Sequence, residues 1–151
     1  KEEHQAEWTV EQTADGERVF EIRRKGETQM VAVGYRIPSA LHPDALGVEV
    51  ATEVLADSPN GRLYEALVKT GLAANVFGYA VGAKEPGFVI FGASVKKGES
   101  LEKVKDKLIE TIEGSLKQKP MTSKELNRTK AQMETMYERA FADPEGFGVG
   151  L

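Results

Sequence analysis

The chain has 151 residues, a net charge of −4 and no cysteine. That length supports a single domain with a core of its own. The acidic balance argues against a nucleic-acid partner, whose affinity comes from phosphates neutralised by clustered Lys and Arg, and the missing cysteines exclude disulfides, cysteine nucleophiles and thiolate metal sites.

Taken in order, residues 1–14 read as a polar linker or tail. No secretory signal stands there, and nowhere does an apolar run approach the roughly 18 residues that span a bilayer. Residues 19–24 alternate, with Phe20 and Ile22 on one face and Glu21 and Arg23 on the other, which predicts a half-buried strand. Lys25-Gly26-Glu27 is a turn. Residues 28–37 are apolar on both faces, Met30 and Ala32 against Val31, Val33 and Tyr35, the pattern of a central strand. Pro38 ends it.

A helix is expected from Pro43-Asp44 to about Ala56, with Leu46, Val50 and Val54 as its buried stripe and Gly47 and Ala51 as a small-residue groove. The next stretch organises the chain: S-P-N-G-R-L-Y-E-A-L-V-K-T-G-L-A-A-N, residues 58–75. Ser58 is a good N-cap, Pro59 suits the first helical position, and Leu63, Ala66 and Leu67 recur at helical spacing. Gly71 stops the helix, because it takes a left-handed backbone without penalty.

Residues 72–81 and 88–95 read as strands joined by the turn G-A-K-E-P-G, hence a hairpin. Gly78 and Gly92 inside them point to bulges or close packing. Ser100 caps a helix whose stripe is Leu101, Val104, Leu108, Ile109, Ile112 and Leu116. The final helix opens on a capping box, Thr122 and Glu125, flanked by Met121 and Leu126 as a hydrophobic staple; Leu126, Met133, Met136, Tyr137 and Ala140 line one face. Asp143 and Pro144 start a further helix over 143–151. Strand pairs alternating with helix pairs give an α+β domain over 15–142, a mainly antiparallel sheet with helices on one face.

Chemistry is scarce. His4 opens H-Q-A-E-W, where the inverted zinc-peptidase motif H-x-x-E-H has its second His and this chain has Trp8. His42, before a helix, reads as a turn residue. Zinc hydrolysis needs three protein ligands and an open position, which these residues do not supply. The serines read as caps or turns, and no nucleophile elbow or phosphate loop is present. Glu49 and Glu53 share a helix face and could hold a proton or metal between them, but a solvated outer face explains them equally. Arg23, Arg24 and Lys25 read as solvated charge, Lys96-Lys97-Gly98 as a turn, and Met133 and Met136 as core.

The ordered series P-D-A-L-G-V-E-V-A-T-E-V-L-A-D-S-P-N-G-R-L-Y-E-A-L-V-K-T-G-L-A, E-P-G-F, K-G-E-S-L-E-K-V and M-T-S-K-E-L-N-R-T-K resembles the pitrilysin/insulinase family of zinc peptidases, the inverzincins. It is similar specifically to the second, non-zinc domain of the N-terminal half, over about Gly16 to Pro144. The resemblance implies a fold of the mitochondrial-processing-peptidase type. It also implies a non-catalytic domain of a zinc metalloendopeptidase, part of a peptide-enclosing chamber and a support for the catalytic domain. Gly61, Arg62, Leu63, Tyr64, Gly71 and Leu72 carry the family signature, and their expected role is structural. An Arg and a Tyr that hold substrate in the half opposite the zinc would fall at Leu67 and Ala74, which cannot donate such bonds. No metal or catalytic residue is therefore expected in this chain. Zinc belongs to the parent, whose catalytic domain and second half would be the partners, with peptide as substrate. The alternative is a domain of a catalytically inactive scaffold or partner subunit of the same family. A generic ligand-binding module would need a pocket with converging polar groups, for which no residues stand out. The compartment is open between bacterial periplasm and cytoplasm, since a cysteine-free chain fits either.

Overall fold

The computed structural model describes residues 16–142 apart from 24 and 27. The expected linker with His4 and the helix expected over 143–151 lie outside the described residues. In chain order the elements are β1 (Gln29–Ile37), α1 (Ala45–Ala56), α2 (Tyr64–Val68, one wide π turn), β2 (Ala73–Val81) and β3 (Gly87–Val95). There follow α3, built from Leu101–Ile109, a π turn at Glu110–Gly114 and a last turn at Ser115–Gln118, and α4 (Ser123–Ala142).

The three strands form one antiparallel sheet in the order β1-β3-β2. The β2–β3 hairpin is as the turn composition predicts, and β3 lies at the centre. Val89, Phe91, Ala93 and Val95 of β3 are buried on one face, beside Val31, Val33, Tyr35 and Ile37 of β1 and Ala73 and Val76 of β2. Leu55 of α1, Leu63 and Leu67 around α2, and Val104 and Leu108 of α3 close over that face. The domain is thus α+β with its helical layer on one side.

Glycine spacing sets how closely the layers approach. A Cβ on Gly78 would stand 2.6 Å from the Cβ of Ala56 and from the Phe91 ring. The glycine therefore lets α1 lie directly on the sheet. At Gly71, φ is +81°, and the helix ends there as its sequence demands. Lys69 N donates to Tyr64 O, and Leu72 N donates to Leu67 O, each spanning five residues, so the wide turn leads straight into β2.

Several expectations are corrected. Residues 19–23 form no strand, and Phe20 and Ile22 are exposed. An alternating pattern buries nothing unless a partner edge is engaged. β1 is an edge strand, not a central one: β3 is its single partner among the described residues. Its second apolar face belongs to the uncovered side of the sheet. Ser58 is not an N-cap, and Pro59 does not open a helix, because residues 58–60 form a turn and the helix begins at Arg62. The buried face of α1 is Thr52, Val54 and Leu55, while Leu46 is exposed and Gly47 meets open space. Close approach is made by Ala56 at the helix end instead. On α4, Met136 and Tyr137 are exposed and Met133 is half-buried; the buried side chain is Thr129. Only the first half of that helix reaches α1. The caps at Ser100 and Thr122 form as expected, Ser100 accepting from Lys103 N at 3.4 Å and Thr122 Oγ1 from Glu125 N at 3.2 Å.

Candidate interaction surface

The signature residues lie together where α2 meets α3 and α4. Gly61 fits under the end of α1: a Cβ there would sit 2.4 Å from Asp57 O, while Gly61 N donates to the same oxygen at 2.6 Å. Leu63 is fully buried, Tyr64 packs against the core, and Leu72 O accepts from Lys96 N, tying the strand entry to the end of β3.

Arg62 uses all five of its donors. Nε and Nη2 grip Glu125 at 2.8 and 2.9 Å, Nη1 reaches Ser115 O and Lys119 O at 3.0 and 2.7 Å, and Nη2 reaches Pro120 O at 3.3 Å. The guanidinium therefore neutralises the carbonyl end of α3 and the first turn of α4 together. The two side chains are 13% and 19% exposed. The Arg62 hydrogen bond, with further donors from Thr122, holds the Glu125 carboxyl at about 2. The sequence marks Arg62 and Glu125 separately, but nothing in it joins positions 63 residues apart.

The substrate-clamp positions are not brought together. Leu67 is buried in the core, and Ala74 is exposed at the register shift between Ala73 and Asn75. His42 Nδ1 accepts from Asp44 N at 3.1 Å in the turn before α1. Glu49 and Glu53 do share a face; burial, then Asp57 and Glu49, pushes the Glu53 carboxyl up. Arg23 pairs with Glu21 in solvent. A second link, unmarked in the sequence, joins α1 to α4: Gln132 donates to Asp57 Oδ1 at 3.2 Å, and Arg128 Nε lies 3.2 Å from Asp57 Oδ2.

Zinc does not fit this chain. Two histidines and no cysteine stand in the whole sequence, and among the described residues no three His, Asp or Glu side chains converge. Nor is any helix there long and apolar enough to cross a membrane.

What the structure leaves bare is the other face of the sheet. The register puts Met30, Ala32 and Gly34 of β1, Phe88, Ile90 and Gly92 of β3, and Phe77, Tyr79 and Val81 of β2 on it. Met30 is 58% exposed, Tyr79 50%, Phe88 44% and Val81 38%. Phe77 stacks with Tyr79 at 6.5 Å between centroids and lies over Gly92, where a Cβ would meet its ring at 2.2 Å. A contiguous apolar patch of this kind marks a surface meant to be covered.

Residues 2–133 match the profile of a family described as the peptidase M16 inactive domain. The chain belongs to that family. This M16 inactive domain is 42% identical to the inactive peptidase domain of an inferred zinc protease from Bordetella parapertussis, with a TM-score of 0.77 over 86% of this chain and 70% of that one. An inferred zinc protease from Bordetella pertussis Tohama I is 41% identical, with a TM-score of 0.74 over 82% and 68%. A protease from Helicobacter pylori shares the fold at 21% identity, with a TM-score of 0.70 over 78% of this chain and 28% of that one. No curated protein matches the M16 inactive domain at a significant level.

Proposed function

We propose that this M16 inactive domain is a non-reactive part of a zinc metalloendopeptidase. In this reading it supports the catalytic domain and forms part of a chamber that encloses peptide. The bare apolar side of the sheet carries the reading: Met30, Tyr79, Val81 and Phe88 present half-exposed surface opposite a complete helical layer. Support comes also from the Bordetella relatives, which are more than 40% identical and described as zinc proteases or their inactive domains. The division of labour follows from the side chains. Metal and peptide-bond hydrolysis would come from a catalytic domain, and this domain would supply rigidity through Arg62 and contact area through the sheet.

The test uses the full-length protein with Tyr79→Ser and Phe88→Ser combined. Expected are a normal zinc content and a fall of tenfold or so in hydrolysis of a quenched peptide, since a misplaced catalytic group costs about that much or more. Unchanged hydrolysis would refute the docking role. A wild-type parent that holds no zinc would leave the scaffold-subunit reading in its place.

A further inference from the structure

β1 gives one edge to β3 and has no strand on the other among the described residues. An open edge presents alternating N–H and C=O groups to any extended chain within reach. The chain nearest in sequence is R-V-F-E-I-R, residues 18–23, whose Phe20 and Ile22 are 82% and 86% exposed.

Two observations place this segment beside β1. At its start, Glu17 acts electrostatically on Tyr35 of β1 and Lys105 of α3, so the chain there lies near the far end of β1. At its finish, Lys25-Gly26 leads into Gln29, the near end. The intervening residues thus run back along β1 in the antiparallel sense. A third observation concerns conformation: Glu21 and Arg23 pair at 2.7 Å, and residues two apart share a side only when the chain is extended.

We propose that residues 18–23 are a detachable strap that docks on the open edge of β1 as a fourth antiparallel strand. Docked, Phe20 and Ile22 stand on the helix side beside Val33 and Val31, and Glu21 and Arg23 stay in water beside Ala32. Val31 and Val33 are half-buried at the rim of the core, so the apolar pair extends that core. The structure holds the strap undocked, which leaves the edge free for a strand from a second copy. The strap is therefore a built-in competitor of edge-to-edge association.

The absence of cysteine makes disulfide trapping in the full chain unambiguous. Docking puts Glu21→Cys and Ala32→Cys on the same side of the sheet and Phe20→Cys on the opposite side. Disulfides form only when the Cβ vectors face each other. The 21–32 pair should oxidise about tenfold faster than the 20–32 pair. A strap that merely tumbles on its tether would close both at one rate, and that result would overturn the proposal. Hydrogen exchange gives a second reading. In the Phe20→Asp, Ile22→Asp variant, alternate β1 amides should lose protection and elution on size exclusion should become concentration-dependent. Protection and elution identical to wild type would equally overturn it.

Discussion

Glu125 holds Arg62 with both oxygens, at 2.8 and 2.9 Å, while its Oε2 also accepts from Thr122 N at 2.8 Å. One carboxylate thus closes the capping box of α4 and anchors the arginine that caps α3. The helical layer is keyed at this point.

Removing one partner of such a pair strands the other. Arg62→Ala should cost about 3–5 kcal/mol, the usual loss when a buried ion pair is broken on one side. Arg62→Lys should recover little, since an ammonium cannot reproduce a planar five-donor fork. Chemical denaturation midpoints at constant slope check both.

Acid should act through the same carboxyl. The unfolded Glu125 titrates near 4.5 and the folded one near 2. A depressed folded value means that the contribution is complete above pH 4.5 and is lost as pH falls toward 2. Glu125→Gln should therefore lower stability at pH 7 by about 1–3 kcal/mol and flatten the fall in stability between those two values. Denaturation curves across that range would reveal a variant whose acid limb is unchanged, contrary to expectation.

Leu108, fully buried between helix and sheet, should cost roughly 2–5 kcal/mol on truncation to Ala. A midpoint equal to wild type would mean that the α3 stripe faces solvent.

Gly61→Ala offers a contrast, since the side chain added is small. Its Cβ would meet Asp57 O, Asp57 N and Leu55 O at 2.4–2.7 Å, all backbone atoms that cannot rotate away. A loss of about 1–3 kcal/mol is expected from this overpacking, with a melting shift as the readout.

Local signals were legible and long-range ones were not. The Gly71 stop, the Ser100 cap, the Thr122 box and the 82–87 turn each depend on neighbours within a few residues, and each is found where the sequence puts it. The spacing of Val104 and Leu108 likewise finds the core. What misled was apolar patterning on both faces of β1, which cannot distinguish a strand buried on two sides from one whose second side awaits a partner. Phe20 and Ile22 posed the same problem, because alternation states a preference and not an occupant. Asp57 with Arg128 and Gln132, and Arg62 with Glu125, join positions far apart in the chain, and only the fold brings them together.

The ring of Phe77 rests where any side chain at residue 92 would have to grow. These two positions cannot drift independently: a methyl group at 92 would demand a smaller residue at 77, and that smaller residue would unseat the stack on Tyr79. Homologues that differ here should differ at both sites together, leaving a paired trace in any lineage where this side of the sheet has changed its companion.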